Sequence, residues 1–306
     1  MLESPYEARE KFPPLTACVI FACVAIFIGL KTLGNDPLYA ETARFGLYPT
    51  VAVWEGKPWA LITSAFVHIE IWHIFFNLYW LWLLGGNLER DIGSLRWIIF
   101  VLAAAWVSSA AQLASGDTGI GFSGVGYALF GFAWVAREKL SHTRPIANDS
   151  TVNLFLIWFV AGIVLTKFNV LSIGNEAHFG GLVFGCAVGW FYARRNRAWL
   201  GALATLLLVG ASFVPLFYNP MSSDWTALQA QKALEADKFP QAIHWLKRAL
   251  KQGTDEKWAW QNLAYSYTQI GDFKAATQAQ KEYEKVAVQE NKSPENSSSD
   301  EENQNN

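Results

Sequence analysis

Three polar sites interrupt otherwise apolar stretches of this chain, and each costs free energy there. The first is "HIEIWHIFFNLYW", in which His73 and Asn77 are four residues apart and so share one helix face. The second is "GFSGVGYALFG", with Ser123 set between glycines. The third is "GNEAHFGGLVFGCAVGW", with His178 near the start of an apolar run. A serine hydroxyl within about 2.6–3.2 Å of an imidazole is the elementary arrangement for nucleophilic attack with a general base. Each residue also has a plain structural reading. A serine in an apolar helix is commonly a small packing residue bonded to its own backbone. A buried histidine is commonly a packing or ion-path residue, and His73 with Asn77 could form an interhelical hydrogen-bond pair. His68, Glu70 and His73 could suggest metal, but spacing of i, i+2, i+5 does not put three ligands on one face. Neither a metal nor a cofactor is expected.

Helix faces favour the reactive pair. Ser123, Tyr127 and Gly131 run along one side at i, i+4, i+8. His178 shares a side with Gly181, Gly185 and Gly189. Small residues every four positions let two membrane helices approach closely. That clears the path by which the His178 imidazole can reach Ser123. A helix starting at Ser123 leaves the N–H groups of Phe122, Ser123 and Gly124 without intrahelical acceptors. His73 and Asn77 can add side-chain donors. One such donor to a developing oxyanion is typically worth about 3 kcal/mol. Tyr127 can orient the imidazole by stacking, so no carboxylate is required.

The elements that must position these groups are membrane helices. Of 306 residues 52% are hydrophobic and only 16% charged, with 15 tryptophans. That profile suits a membrane protein. A mean hydropathy of only +0.15 requires a polar portion as well. The net charge of −2 gives no electrostatic reason to expect nucleic acid. Cys18, Cys23 and Cys186 all lie in apolar runs, outside any CxxC pair, and read as small buried hydrophobes. A membrane-crossing helix needs about 20 apolar residues, fewer when neighbours shield it. Seven runs qualify: 15–33, 71–84, 97–113, 123–135, 152–166, 177–192 and 199–218. The fourth and sixth are short and glycine-rich, and so belong at the centre. The first reads as a retained helix rather than a signal peptide, on its length.

Positive charge sets the orientation. Arg90 and Arg96 follow the second run, Arg137, Lys139 and Arg144 the fourth, and Arg194, Arg195 and Arg197 the sixth. The even-numbered helices then end in the cytoplasm. The N-terminus is cytoplasmic, while segment 34–70 and everything after the seventh helix lie outside. The three polar sites fall near the outer ends of their helices, at one depth. From Met221 the composition changes and a repeat appears. Phe239, Ala242 and Ala249 align, 34 residues later, with Phe273, Ala276 and Tyr283. Trp260, Leu263, Tyr267, Gly271 and Phe273 stand at spacings that resemble a tetratricopeptide repeat. Two repeats bury little core, so Trp225, Trp245 and Trp258 are expected to need a cover. Residues 291–306 are polar, without aromatics, and are expected to be disordered.

Taken in order, "HIEIWHIFFN", "LGGNLERDIGS", "GFSGVGYALFG" and "NEAHFGGLVFG" resemble the rhomboid family of intramembrane serine proteases. The G-x-S-G of Gly121–Gly124 is weak alone, but specific with H-x-x-x-N upstream and A-H-x-x-G downstream. The resemblance implies an all-α, polytopic membrane bundle of six-plus-one helices. Residues 1–195 would be the catalytic core, 196–220 the seventh helix, 221–290 the repeats and 291–306 the tail. It implies Ser123 as nucleophile and His178 as general base, through an acyl-enzyme. His73, Asn77 and the Ser123 N–H would be oxyanion donors. Tyr127 would pack on the histidine ring, and Glu89 would be a structural hydrogen-bonding residue. Gly121, Gly124, Asn175, Gly181 and Gly185 would support the site.

The implied substrates are transmembrane proteins cut in or beside a membrane segment, in a multi-pass protein of the bacterial inner membrane. Two residues depart from the family pattern. Ala60 stands after Trp59 where an arginine is usual, which puts the anchoring of segment 34–70 in doubt. Glu176 stands where a small or apolar residue is usual, and could adjust the pKa of His178. A competing function is a catalytically silent adaptor that holds clients in the bundle and partners on residues 221–290. An intact serine–histidine pair separates the two. In either case the repeat module would bind a protein partner, a second copy or a client, on the outer side of the lipid bilayer.

Overall fold

The computed structural model describes residues 12–34 and 38–292, and the expectation for the tail falls outside them. Every regular element among these residues is helical. The chain divides into two compact units, the first ending at Tyr218 and the second beginning at Asn219.

In the first unit, helix α1 spans Pro14–Lys31 and opens on Pro13-Pro14. A proline in the first turn suits a helix start, because its missing N–H would have had no partner there. Pro13 has no side chain able to cap, so the capping comes from far along the chain. The Glu89 carboxylate accepts from Leu15 N–H (3.0 Å), Thr16 N–H (2.8 Å) and the Thr16 hydroxyl (2.8 Å). It also accepts from the Ser94 hydroxyl at 2.6 Å. One buried side chain thus joins three helices.

The segment after α1 carries only short turns. These are α2 (Tyr39–Ala43), a 3-10 turn Thr50–Val53, α3 (Ala60–Thr63) and a 3-10 turn Ser64–Phe66. The chain then bends by 96° into a helix that continues to Ile92. That helix is α4 (Ile71–Trp80), a π-helical stretch Leu81–Gly85 and α5 (Gly86–Ile92). It runs past the expected end at residue 84, because the extra residue of the π stretch is absorbed without breaking the helix. Helix α6 (Ser94–Ala114) follows at Gly93, whose φ of +84° makes the sharp turn.

Helices α7 (Ser123–Ala136) and α9 (Asn175–Ala193) sit against each other and against α6. Helix α8 (Asp149–Lys167) begins on an Asn148 cap that accepts Thr151 N–H at 3.0 Å. The loop before α8 is fastened to the end of α5. Asp91 accepts from Ser141, from His142 and from both the N–H and the hydroxyl of Thr143. The core between the helices is large and aromatic, with Trp97, Phe100, Phe122, Phe130 and Phe132 buried. Outward-facing Phe21, Ile157, Leu206 and Leu207 are exposed and present apolar surface to lipid.

The seventh span, Arg195–Phe217, is not one continuous helix. Helix α10 (Ala198–Ala211) stops, and α11 (Val214–Phe217) restarts. Pro215 has no N–H to give the Ala211 carbonyl. The Ser212 hydroxyl instead donates back to Val209 O at 2.6 Å, a bond that bends helices. Four helices, α1, α6, α8 and this last span, are long and apolar enough to cross a bilayer. The bent pair Ala60–Phe66 and Ile71–Ile92 makes a fifth. Helices α7 and α9 are walled in by the others.

The second unit is four antiparallel helices. They are α12 (Ser223–Glu235), α13 (Phe239–Lys251), α14 (Glu256–Gln269) and α15 (Phe273–Lys292). Each packs on the next around Ala230, Ala242, Leu246, Ala259 and Leu263. The turns between hairpin partners match. Asp237 and Gly271, 34 positions apart, both take positive φ (54° and 79°). One expectation needs correcting. Trp225 is buried, with its ring edge-on to Trp245 at 5.3 Å, and Trp245 and Trp258 are half-buried against the same core. Trp225 and Trp245 lie on the two helices of the first hairpin and pack on each other, while Trp258 lies on α14.

The Glu89 junction generates the first prediction. Glu89→Ala leaves four donors without their acceptor, two of them on the buried Thr16. It should lower unfolding stability by roughly 3 kcal/mol. Thermal unfolding in detergent measures this. A variant as stable as wild type would remove Glu89 from its structural role.

Candidate active site

Ser123 opens α7 and His178 lies in the first turn of α9. The Ser123 Oγ and His178 Nε2 are 2.8 Å apart. This distance is set by the backbones. A Cβ on Gly181 would run into the Gly124 carbonyl oxygen, and one on Gly185 into the Ala128 carbonyl oxygen. Opposite them, a Cβ on Gly131 would collide with Leu182 O. Gly124 faces the other way as well, where a Cβ would stand 2.7 Å from Ser108 of α6. Helices α7 and α9 therefore touch main chain to main chain, with α6 close behind.

The imidazole is oriented by a ring rather than by a charge. Tyr127 stacks on His178 with centroids 4.5 Å apart and planes 29° from parallel. The Tyr127 hydroxyl donates to Phe155 O of α8 at 3.3 Å, which fixes the ring in turn. His178 is 4% exposed, while Ser123 is half-buried. A solvent-shielded base with an accessible hydroxyl is the geometry that a nucleophile–base pair needs.

His73 and Asn77 line the approach to Ser123, with Gly121 between them. Gly121 has φ +99°. A Cβ there would overlap the His73 imidazole and stand 3.4 Å from Asn77 Nδ2. Both the backbone conformation and the space demand glycine. His73 and Asn77 thus meet the turn that leads into α7 at Gly121.

His68 is the residue that the sequence reading passed over as anything but a metal candidate. It is fully buried. Its Nε2 lies 3.3 Å from the Phe122 nitrogen and 3.0 Å from Asn77 Nδ2. A backbone N–H can only donate, so Nε2 is an acceptor. The proton is then on Nδ1, which donates to Phe66 O at 3.3 Å. His68 thus holds the Asn77 amide and the residue preceding Ser123 in one network. The Phe122 N–H, expected to be free, is engaged here. No helical spacing relates His68 to Asn77, because the 96° bend between Phe66 and Ile71 separates them.

One more group, Gln112, was not foreseen. Gln112 of α6 accepts the Ala177 N–H at 3.2 Å and so caps the turn that carries His178, where Gly174 has no side chain to do so. Asn175 Nδ2 donates to Thr166 Oγ1 at 2.9 Å, joining α9 to α8 away from the Ser123 hydroxyl. Glu89 also lies apart from the pair, at the α1–α6 junction. Among the described residues no His, Cys, Asp and Glu group could hold a metal ion.

Residues 55–195 match the family model of the Rhomboid domain. This stretch is similar to a rhomboid domain. The chain is 35% identical over 193 residues to "Rhomboid protease GlpG" of Serratia proteamaculans, covering 62% of this chain and 66% of that protein. It is 32% identical over 183 residues to the protein of that name in Salmonella choleraesuis, covering 60% and 64%. The same values hold for Salmonella typhi. The chain thus spans just under two thirds of the length of the relatives it matches. Together with the apolar helices, the match makes this an integral membrane protein. The matched stretch contains Ser123, His178, His73 and Asn77, and its last residue follows the α9 helix.

The close helix contact generates the second prediction. Gly181→Ala or Gly185→Ala forces a methyl into a carbonyl oxygen. Either should cost about 1–3 kcal/mol of stability as overpacking does. Either should also widen the Ser123–His178 gap. Thermal unfolding, and the rate at which a fluorophosphonate labels Ser123, measure the two effects. Unchanged values for both would refute the argument from close packing.

Proposed function

We propose that this protein is an intramembrane serine endopeptidase that cuts transmembrane proteins in or beside a membrane segment. The observation that carries the reading is the 2.8 Å contact of Ser123 Oγ with His178 Nε2 beneath the Tyr127 ring. Similarity to relatives named as rhomboid proteases supports it. Ser123 is the nucleophile and His178 the general base, with the imidazole proton on Nδ1. The hydroxyl oxygen attacks the scissile carbonyl carbon as its proton moves to Nε2. The carbonyl oxygen becomes an oxyanion. It is received by His73, the Asn77 amide and the Ser123 N–H. The imidazolium gives its proton to the leaving nitrogen, the C–N bond breaks, and an acyl-Ser123 ester remains. Water then attacks the ester, its proton passes to Nε2, and the oxyanion site is used again. The acid leaves and Ser123 regains its proton.

The second unit reads as a pair of tetratricopeptide-like repeats, supported by the 34-residue recurrence of Phe239 and Phe273 and of the Asp237 and Gly271 turns. Its proposed role is selection of substrates or binding of a protein partner or second copy. Basic residues after α5, α7 and α9 support a cytoplasmic N-terminus and an extracytoplasmic repeat unit. The membrane would be the bacterial inner membrane. Protease added to sealed cells should therefore reach the repeat unit, and a unit protected until lysis would reverse the orientation.

The chemistry has a direct test in proteoliposomes with a fluorogenic transmembrane substrate. Ser123→Ala and His178→Ala should each abolish cleavage while the chain still folds. Asn77→Ala should lower turnover by roughly 10- to 1000-fold, the effect of losing one donor among several. Wild-type turnover in Ser123→Ala would refute the nucleophile assignment, and in Asn77→Ala would remove that amide from the oxyanion site.

A further inference from the structure

The turn that leads into Ser123 is held by residues far from it in sequence. Gly121 N–H donates to Ser64 O at 3.0 Å, and Phe122 N–H to His68. Four residues earlier, the buried Thr50 hydroxyl donates to Asp117 Oδ1 at 2.7 Å and accepts Thr118 N–H at 3.2 Å. So the segment between α1 and α4 grips the 117–122 turn at both ends.

That segment has its own anchor. Thr50 begins a 3-10 turn whose C-cap is Trp54. The Trp54 indole N–H donates to the Pro215 carbonyl of α11 at 2.9 Å. The Pro215 carbonyl is available because α11 ends two residues later, and last-turn carbonyls have no intrahelical donor. Tyr48, Trp54, Trp106 and Leu216 pack around Val53, Leu61 and Leu113 at the same place. The break above α11 is fastened too, since Trp106 donates to the Ser212 hydroxyl at 2.9 Å and stacks near Phe213. These contacts stand where the sequence offers Ala60 instead of an anchoring arginine.

We infer that Thr50 and Trp54 are positioning residues for the reaction at Ser123, and that the end of the seventh span is the support on which they act. The path is continuous: Pro215 holds Trp54, one turn carries Trp54 to Thr50, Thr50 fixes Asp117 and Thr118, and the turn delivers Gly121 and the N–H groups at Ser123. What the path positions is the turn at Ser123, so its loss should act on turnover rather than on affinity. The inference rests on the peptidase reading above.

The test uses the full chain in proteoliposomes, with kcat, KM and Tm measured together. Thr50→Val keeps the shape and removes the hydroxyl, while Asp117 keeps Thr118 N–H as a partner at 2.7 Å. It should lower kcat by about tenfold with KM and Tm unchanged, a loss consistent with sub-ångström misplacement of the reacting groups. Thr50→Ser should restore kcat. Trp54→Phe, which removes the indole N–H together with part of the ring packed on Val53 and Leu61, should lower kcat in the same sense. Wild-type kcat in Thr50→Val, a loss that follows a fall in Tm, or failure of Thr50→Ser to restore kcat would overturn the inference while the peptidase reading stands. A wild-type chain that neither cuts the substrate nor labels with a fluorophosphonate would overturn both.

Discussion

Everything at this site depends on two backbones touching. A serine and a histidine 55 positions apart can share a hydrogen bond only if α7 and α9 approach closer than side chains normally allow. Gly181 and Gly185 lie on Gly124 and Ala128 carbonyl oxygens, and Gly131 on Leu182. In a bilayer no hydrophobic effect drives helices together, so packing of this kind must supply the association. The apolar shell of α1, α8 and the seventh span then has a simple task. It keeps lipid away from two central helices that are too short or too glycine-rich to face it.

The close contact fixes distance but not direction, and direction comes from groups outside the pair. Tyr127 sets the plane of the imidazole, and its hydroxyl is tied to α8. Gln112 caps the turn that carries His178, and His68 holds the residue before Ser123. The last two also satisfy backbone N–H groups at helix starts that would otherwise be unpaired in an apolar setting. Backbone satisfaction and positioning of the site are here the same contacts.

The residues that repeat along a helix face were legible in the sequence. Ser123 with Tyr127 and Gly131, His178 with its glycines, and His73 with Asn77 all follow from helical spacing. What was not legible is whatever joins the chain across a bend or between distant segments. His68 lies on the far side of a 96° turn from Asn77. Gln112, Thr50 and Asp117 find their partners through tertiary structure, without any local period. The break in the seventh span is an intermediate case. Pro215 stood in the sequence, and its missing N–H implies a break four residues before it, yet the run of apolar residues masks this. In the second unit, composition alone suggested bare tryptophans, yet Trp225 is buried with its ring edge-on to Trp245.

The absence of a carboxylate behind His178 follows from where the pair sits. A soluble serine hydrolase can orient its base with a buried aspartate, because water and many backbone donors are near to stabilise the charge. Between membrane helices an ionised carboxylate would need several hydrogen-bond donors of its own. Glu89 illustrates the requirement: it takes four, from two other helices, and is wholly consumed by them. No comparable set of donors surrounds the imidazole. A tyrosine face orients the ring through contact area alone and asks for a single acceptor, the Phe155 carbonyl, in return. For the proposed chemistry the positive charge that develops on His178 is then met by the tyrosine π-face and by the oxyanion forming beside it. A two-residue apparatus is thus the smaller electrostatic burden at this depth, and the glycines make it possible.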